Sequence, residues 1–495
     1  MICLVGTQTR EIKMNLKTGL FLSTAMFAIA GNVSHALADE AEATRLEKLF
    51  QSYLSDTKGV VTVKTDGDGY AAKFDLAPLM NQTGADIKMT PMELKLTNQG
   101  DGKWQVLEDQ AFTLSIDIKE KGKIEEKIAS LKMIGIFDEK LNYFSILTGE
   151  VNDVTVSEKI SDPTTGRGDI SATIKSMKIE QTGAAGANGG LDVAAKYTLE
   201  GLTENINTAG KPESGVPPMN LVINAAGGSY DMNVRGLKAK PMFDLVSFAI
   251  AHQTKELVGK DQAILKTILK DGIPLFENFV VNGKFNNFTV ASQFGQFGVE
   301  SIEVVGDMNG ITKDGKLREK MAFNGLTLPP ALVPPWATKL VPKNLSFDFT
   351  VSGFDLASPA QMILDQLDLT KEPPLPDAFE QVLMPIFMPK GVVDITLNPS
   401  TIDNETYGVK FEGSLAAGPA ALPTGKAKIS AKGIDELMKI IQEAPPEAGL
   451  AQGAALVVVA KGMAKAEADG SLTWNIESTP EGKVLVNGID PAKLK

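Results

Sequence analysis

The chain contains few of the side chains on which most catalytic centres depend. Its 495 residues include one cysteine, two histidines, three tryptophans and six tyrosines. The cysteine, Cys3, and one of the histidines, His35, both lie near the N-terminus. Without that segment the chain can form no disulfide and no Cys-His catalytic pair, and one histidine is too few for a usual zinc site.

The N-terminal segment has the layout of a cleaved secretory signal. Lys17 provides a short basic region, residues 19–30 form an apolar core, and an Ala-Leu-Ala sequence ends at Ala38. The apolar core is too short to span a bilayer, which needs about 20 residues, so the pattern predicts a signal peptide cleaved after Ala38. Because a start at Met14 gives a signal of normal length, residues 1–13 are interpreted as a mis-assigned start.

The predicted location is the periplasm of a Gram-negative cell. A long exported chain without cysteine is more typical of bacteria than of animals, and no later apolar segment is long enough for a transmembrane helix. Removal of residues 1–38 takes away three basic side chains and one acidic one, so the formal net charge falls from −12 to −14. This acidic balance argues against nucleic acid as a partner, because that binding depends on lysine and arginine at phosphates.

Alternating apolar and polar residues dominate the chain after one opening helix. The helix is predicted from five apolar residues at helical spacing: Leu46, Leu49, Phe50, Tyr53 and Leu54. Alternation of period two then predicts half-buried strands, among them residues 112–118, 191–199, 345–351 and 472–476. Frequent Asp-Gly turns favour antiparallel hairpins. The predicted fold class is mainly β with α (α+β), with long, curved antiparallel sheets covered by short amphipathic helices.

A recurring unit places a glycine and a large apolar residue at the end of a strand. The glycines are Gly201, Gly236, Gly353, Gly433 and Gly488. Glycine at such a position permits a positive φ or a tight exit from the strand. Helices are predicted to follow three of them, at about 242–257, 359–367 and 435–441.

The length of the chain argues against a single hydrophobic core, because such cores stop growing near roughly 250–300 residues. Two large domains or one long extended assembly are the alternatives. Residues 209–218 combine proline, glycine and charge, which is typical of a linker. The predicted division is a signal peptide at 1–38, an N-terminal β-rich domain with a leading helix at 39–213, and a C-terminal β-rich domain with several short helices at 214–495.

No catalytic or metal-binding motif is complete. His252 falls on the apolar face of its predicted helix, which indicates a core or interface residue. Asp66 and Asp68 resemble the start of a calcium loop, but the residues after them supply no further ligands, so a plain hairpin turn is predicted. We therefore expect no catalytic residue, no metal site and no cofactor. A pair of carboxylates acting as a hydrolase is the enzymatic alternative.

Two apolar, proline-rich segments, residues 328–342 and 373–389, have the most unusual local composition. Proline cannot donate to a sheet ladder, so both segments are predicted to lie outside the strands. Their apolar residues either pack over the sheet or line a hydrophobic groove, a role that suits methionine. The candidate ligand-lining residues are Trp336, Phe379, Leu383, Met384, Phe387 and Met388. The apolar helix predicted at 450–464 has the same two interpretations, and packing on the sheet is favoured.

Three stretches carry a resemblance to known proteins: residues 67–80, 328–356 and 468–490. They resemble the hairpins and strand-to-glycine turns of an exported proteobacterial, more narrowly alphaproteobacterial, family known as a domain of unknown function. They are also distantly similar to groove-forming AsmA-like envelope proteins. The resemblance implies an elongated, strongly curved sheet and, by analogy, contact with lipids.

These observations predict an exported, non-enzymatic cell-envelope protein that binds a hydrophobic ligand or lipid in a β-sheet groove. One alternative is a periplasmic interaction or structural factor, which would bind an envelope protein at exposed strand edges. The other alternative is the carboxylate-dependent hydrolase.

Overall fold

The computed structural model describes residues 38–54, 57–80, 86–118, 122–162, 166–210, 217–252, 259–368, 371, 374–376, 379–419 and 421–493. Apart from Ala38, the predicted signal peptide lies outside the described residues. None of the helices within those ranges is long and apolar enough to cross a membrane.

The described residues form twenty strands of one sheet. The strands are β1 Val61–Asp66, β2 Gly69–Phe74, β3 Asp86–Met89, β4 Met92–Gly100, β5 Lys103–Ile118, β6 Gly122–Asp138, β7 Tyr143–Asp162, β8 Gly166–Ala185, β9 Leu191–Thr208, β10 Met219–Leu237, β11 Asn278–Ser292, β12 Gly295–Asn309, β13 Gly315–Asn324, β14 Asn344–Phe354, β15 Val393–Asp403, β16 Gly408–Gly418, β17 Ala421–Lys432, β18 Lys465–Ala466, β19 Leu472–Ser478 and β20 Val484–Val486.

Short helices connect some of these strands. The α-helices are α1 Glu40–Tyr53, α2 Ala77–Met80, α3 Ala239–Ala251, α4 Gly259–Gly272, α5 Ala357–Gln366, α6 Phe379–Phe387, α7 Ile434–Glu443 and α8 Ala451–Gly462. Within the described ranges, four 3₁₀ helices accompany them: Pro330–Leu332, Pro335–Leu340, Pro446–Ala448 and Pro491–Lys493.

The strands pair in a long antiparallel meander. From β5 to β17 each strand pairs with the next one in the sequence. At one side of the meander β4 and β3 pair with β5, β2 pairs with β4, and β1 pairs with β2. At the other side β17 pairs with β19, and β19 with β20. The prediction of a mainly β, antiparallel protein is confirmed, and helices are a minor part of it.

The three helices predicted to follow a strand-to-glycine turn are all present. Gly236, Gly353 and Gly433 have positive φ values of 66°, 81° and 71°, and α3, α5 and α7 begin shortly after them. Gly201 also has a positive φ but lies inside β9, and only a single 3₁₀ turn follows Gly488. Glycine therefore marks a bend in the backbone at these sites, and a helix forms only where the next residues favour one.

Hydrogen bonding continues across the predicted domain boundary near residue 213. Strands β9 and β10 pair from Thr208 and Met219 through to Val193 and Val234. The linker-like composition therefore belongs to the connection between two paired strands. The division into two domains stays a prediction.

The main core lies where α1 packs against the N-terminal strands. Asp39 caps the helix, since its Oδ1 accepts a hydrogen bond of 2.7 Å from the Glu42 amide. Leu46 and Phe50 of α1 are buried, and the Phe50 ring meets Phe74 edge-on at 5.2 Å. This core includes apolar residues of β1, β2 and β4–β7. The predicted opening helix is confirmed, and Leu46, Phe50 and Leu54 of its apolar stripe are buried, whereas the side chain of Tyr53 lies outside the described part of the structure.

An irregularity crosses the middle of the sheet. Asp153 in β7, Gly201 in β9 and Asn287 in β11 have φ values of 52°, 64° and 50°, and the Cα pairing skips each of them. Each of these three strands has one additional residue there. Its apolar side chains therefore change from odd-numbered to even-numbered positions but stay on the same face of the sheet. Asp, Asn and Gly are the residues that adopt this left-handed conformation most readily.

Candidate functional site

Most of the large apolar side chains of the strands lie on one face of the sheet, although Leu107, Ile134 and Ile146 lie on the other. The register places Tyr197 opposite Tyr230, Val304 opposite Met321, and Met321 opposite Phe347. The same alternation continues from β5 to β19. We call this side the apolar face. The opposite side, the polar face, is rich in lysine, acidic, asparagine, serine and threonine residues.

Several large side chains in the middle of the apolar face are partly exposed to solvent. The exposed fraction is 40% for Tyr230, 43% for Met321, 41% for Phe347 and 37% for Leu415. When one face of an antiparallel sheet packs on a core, such positions are normally buried. Contiguous exposed apolar surface marks interaction or ligand sites in soluble proteins. No element of the described chain fully covers this part of the apolar face.

Aromatic rings lie close together on the apolar face. The rings of Tyr197 and Tyr230 stack with centroids 4.5 Å apart, and those of Phe347 and Phe411 are 5.8 Å apart. Desolvation raises the pKa of both tyrosines above its usual value, and repulsion between the two phenols adds to the shift for Tyr230. Both phenols are therefore neutral at physiological pH and present flat, largely apolar surfaces.

Helices contact one another at both ends of these strands. Helices α3 and α4 connect β10 to β11, and α5 and α6 connect β14 to β15, all at one end of the sheet. At the other end, α7 contacts the 3₁₀ helix Pro335–Leu340 and also α8. Helices therefore bound one end of β10–β15 and the opposite end of β14–β19.

The candidate ligand-lining residues lie in these boundaries rather than on the strands. The described residues of both proline-rich segments contain no strand, as predicted. Phe379 and Met388 are buried, Leu383 and Phe387 are half-buried, and Met384 is 48% exposed. The Phe387 ring stacks on Phe354 at 5.5 Å.

Trp336 is half-buried and lies apart from the other candidates. It belongs to the 3₁₀ helix that precedes β14, whereas α6 follows β14. The 11 residues of β14 separate the two segments, a distance of roughly 36 Å. The structure therefore does not bring the six residues together, and their role as ligand contacts stays a prediction.

Helix α8 packs on the sheet along only one side. The indole Nε1 of Trp474 in β19 donates a hydrogen bond of 2.6 Å to the Ala460 carbonyl. Leu456, Val458 and Val459 are 71%, 58% and 58% exposed. Packing on the sheet, the favoured interpretation of this helix, therefore applies to one side of α8. Another side is apolar and exposed to solvent.

His252 packs between two helices, as its position in the sequence predicted. Its ring stacks on Phe248 at 4.1 Å, and its Nδ1 is 2.8 Å from the Phe248 carbonyl oxygen. Its Nε2 is 3.5 Å from Oδ1 of Asp261 in α4. Asp66 and Asp68 lie at the β1–β2 turn, where Asp66 pairs with Lys95 at 3.9 Å. In the described part of the chain, no three acidic or histidine side chains are arranged to hold a metal ion.

Glutamate residues interrupt the apolar face. Glu108 is 1% exposed, lies opposite Met133, and neither of its carboxylate oxygens has a hydrogen-bond partner. Desolvation raises the pKa of Glu108 to about 7. Desolvation also raises the pKa values of the half-buried Glu126 and Glu158, and repulsion from Glu204 adds to the shift of Glu158.

A concavity of about 830 Å³ lies on the polar face of β15–β17 and β19. Its lining includes Lys426, Lys428, Glu412 and Glu477. The Lys426 ammonium is 3.5 Å from the Glu477 carboxylate, and Lys428 lies opposite Glu412 in the register. Lys465 also lines the cleft, so its lining holds three lysines and two glutamates and its formal net charge is small.

The partly exposed apolar face is therefore the strongest candidate for a functional site. Comparison of the chain with protein-family models, curated proteins and solved structures finds no match.

Proposed function

We propose that the protein is an exported, non-enzymatic envelope protein that binds a hydrophobic ligand, such as a lipid chain, along the apolar face. The observation that carries this proposal is the partial exposure of Tyr230, Met321 and Phe347 in the middle of that face. The helices at the two ends of the strands would form the walls of a groove. Its floor from β8 to β17 spans nine inter-strand steps, or roughly 43 Å.

The apolar face offers enough surface to bind such a ligand. Covering the exposed parts of Tyr230, Met321 and Phe347 would remove roughly 240 Å² from water, if each side chain has about 200 Å² of surface. At about 25 cal/mol/Å² this burial contributes on the order of 6 kcal/mol, before the cost of ordering the ligand. Burial of these three side chains alone thus favours binding substantially.

The proposal is tested by placing a charge on one face or the other of the same strand. Phe347→Glu puts a carboxylate on the apolar face, and Ser346→Glu puts one on the polar face next to it. The measurement is the fluorescence of the uncharged probe N-phenyl-1-naphthylamine, titrated into each purified variant.

We expect Phe347→Glu to weaken binding of the probe at least about tenfold, because the ligand would desolvate the new charge. Ser346→Glu should bind the probe as the parent protein does. Absence of probe binding by the parent, together with recovery of ligand-free protein from the periplasm, would refute the proposal. Capture of a protein at an exposed strand edge would instead support the interaction-factor alternative.

A further inference from the structure

The apolar face carries charge of one sign only. Its charged positions with described side chains, from β5 to β17, are all glutamates: Glu108, Glu126, Glu158, Glu204 and Glu319. Within the described ranges, no lysine or arginine of these strands that the register pairs occupies an apolar-face position, and Lys175 lies at the irregularity, outside the pairing. The basic residues next to the glutamates in the sequence, such as Lys127 and Lys159, point to the polar face.

Three of these glutamates lie near one another toward one end of the strands. Glu126 is opposite Val156, and Glu158 is two residues further along the same strand as Val156. Glu204 lies opposite Ala172, which is itself opposite Val156. Glu126 and Glu158 are diagonal neighbours on adjacent strands, about 7–8 Å apart. Glu204 lies two inter-strand steps from Glu158 and three from Glu126, or roughly 10–14 Å away. We call Glu126, Glu158 and Glu204 the acid row.

The acid row lacks a cationic partner in the described structure. None of the ion pairs among the described residues includes Glu126, Glu158 or Glu204. Glu125 and Glu303, which are also half-buried, do pair with lysines. All three acid-row side chains are half-buried among apolar residues such as Ile124, Ile170 and Ile206. Carboxylates placed near one another in an apolar setting are costly, because desolvation and repulsion both oppose their ionisation.

We infer that the ligand of the apolar face is a cationic amphiphile, whose alkyl chain lies along the face and whose ammonium group lies at the acid row. This inference rests on the proposed function and adds the charge of the ligand. A cationic head group would neutralise the carboxylates, whereas a carboxylate or phosphate head group would be repelled. From Glu204, the face continues for seven residues along β9 to Tyr197, about 23 Å, which leaves room for a long alkyl chain.

The test compares three amphiphiles with the same chain and different head groups: dodecylamine, dodecanol and dodecanoate. Each amphiphile is titrated into the full-length mature protein at neutral pH to displace N-phenyl-1-naphthylamine, and the concentration of the amphiphile is kept below the one at which it aggregates. We expect dodecylamine to displace the probe at a concentration at least about tenfold lower than dodecanoate, with dodecanol between them. High salt should reduce the difference.

Substitutions of acid-row glutamates then test whether these residues cause the preference for the amine. In the double variant Glu158→Gln and Glu204→Gln, we expect the three amphiphiles to fall within about threefold of one another. The matched control is Glu150→Gln with Glu180→Gln, two exposed glutamates on the polar faces of β7 and β8. This control should keep the preference for the amine. Retained binding of the uncharged probe shows that each variant is folded.

Two outcomes distinguish failure of the inference from failure of the proposed function. If dodecanol and dodecylamine bind the parent protein equally well, or if the double variant keeps the preference for the amine, the inference is wrong and the proposed function stands. If neither the probe nor any amphiphile binds the parent protein, the proposed function fails and the inference fails with it.

Discussion

Replacement of the buried Glu108 by glutamine should change how the stability of the fold depends on pH. The Glu108 carboxyl is 1% exposed and has no hydrogen-bond partner, and desolvation raises its pKa from 4.5 to about 7. Between these two pH values the folded protein holds a proton at Glu108 that the unfolded chain has lost. The contribution of this group to stability is therefore greatest below pH 4.5 and falls as the pH rises to about 7.

The size of the effect follows from the pKa shift. Each unit of pKa difference corresponds to about 1.4 kcal/mol, so a rise from 4.5 to about 7 costs the folded state on the order of 3 kcal/mol above neutral pH. Glu108→Gln removes the titrating group while keeping nearly the same volume. The stability of the variant relative to the parent should then increase by about 3 kcal/mol across this pH range.

The assay is urea unfolding at a series of pH values, followed by tryptophan fluorescence. Trp104 is 3% exposed and lies on the same strand and face as Glu108, so it reports on this core. Asp109→Asn is the matched control, because Asp109 is exposed on the polar face and pairs with Lys132 at 3.5 Å. Parallel pH profiles for the parent and Glu108→Gln would refute the reasoning.

Three further substitutions test the packing, each by thermal or urea unfolding. Leu46→Ala, in the buried core of α1, should cost about 2–5 kcal/mol, whereas Leu456→Ala, 71% exposed, should change stability by less than about 0.5 kcal/mol; equal effects would contradict the assigned core. Gly433→Ala should lower the free energy of unfolding by more than about 1 kcal/mol, because the φ of Gly433 is positive and a Cβ there would overlap a backbone carbonyl. Gly470 also has a positive φ, but the space around it is open, so Gly470→Ala should cost less stability. Asp348→Ala should lower the free energy of unfolding by about 2 kcal/mol, because the Asp348 carboxylate is 5% exposed and accepts two hydrogen bonds from the partly exposed Arg318. An unchanged unfolding midpoint would contradict that role.

The sequence predicted the strands well because the strands of a half-buried sheet alternate apolar and polar residues, and this period of two is visible in the sequence. The alternation at 345–351, for example, corresponds to β14, with Phe347 on the apolar face. The additional residues at Asp153 and Asn287 break this period within single strands. The sequence of a single strand does not reveal these irregularities. Only the Cα register of the neighbouring strands shows that they lie on one line across the sheet.

The candidate site was harder to predict because alternation shows which side of a strand is apolar and not whether another layer covers it. The proline-rich segments at 328–342 and 373–389 attracted attention because their composition is unusual. The structure places them at opposite ends of β14, while the exposed apolar surface includes ordinary strand residues such as Met321. The exclusively acidic charge of that surface likewise depends on register, since two strands lie between Glu126 and Glu204.

The central claim, that the apolar face holds a hydrophobic ligand, is tested most directly by photocrosslinking in living cells. A photoreactive phenylalanine analogue replaces Phe347 on the apolar face or, as the control, Ser346 on the polar face of the same strand. Mass spectrometry of the irradiated, purified protein then gives the mass of any adduct. We expect an adduct with the mass of an amphiphile at position 347 and none at position 346. Unmodified protein at position 347, or protein adducts alone, would contradict it.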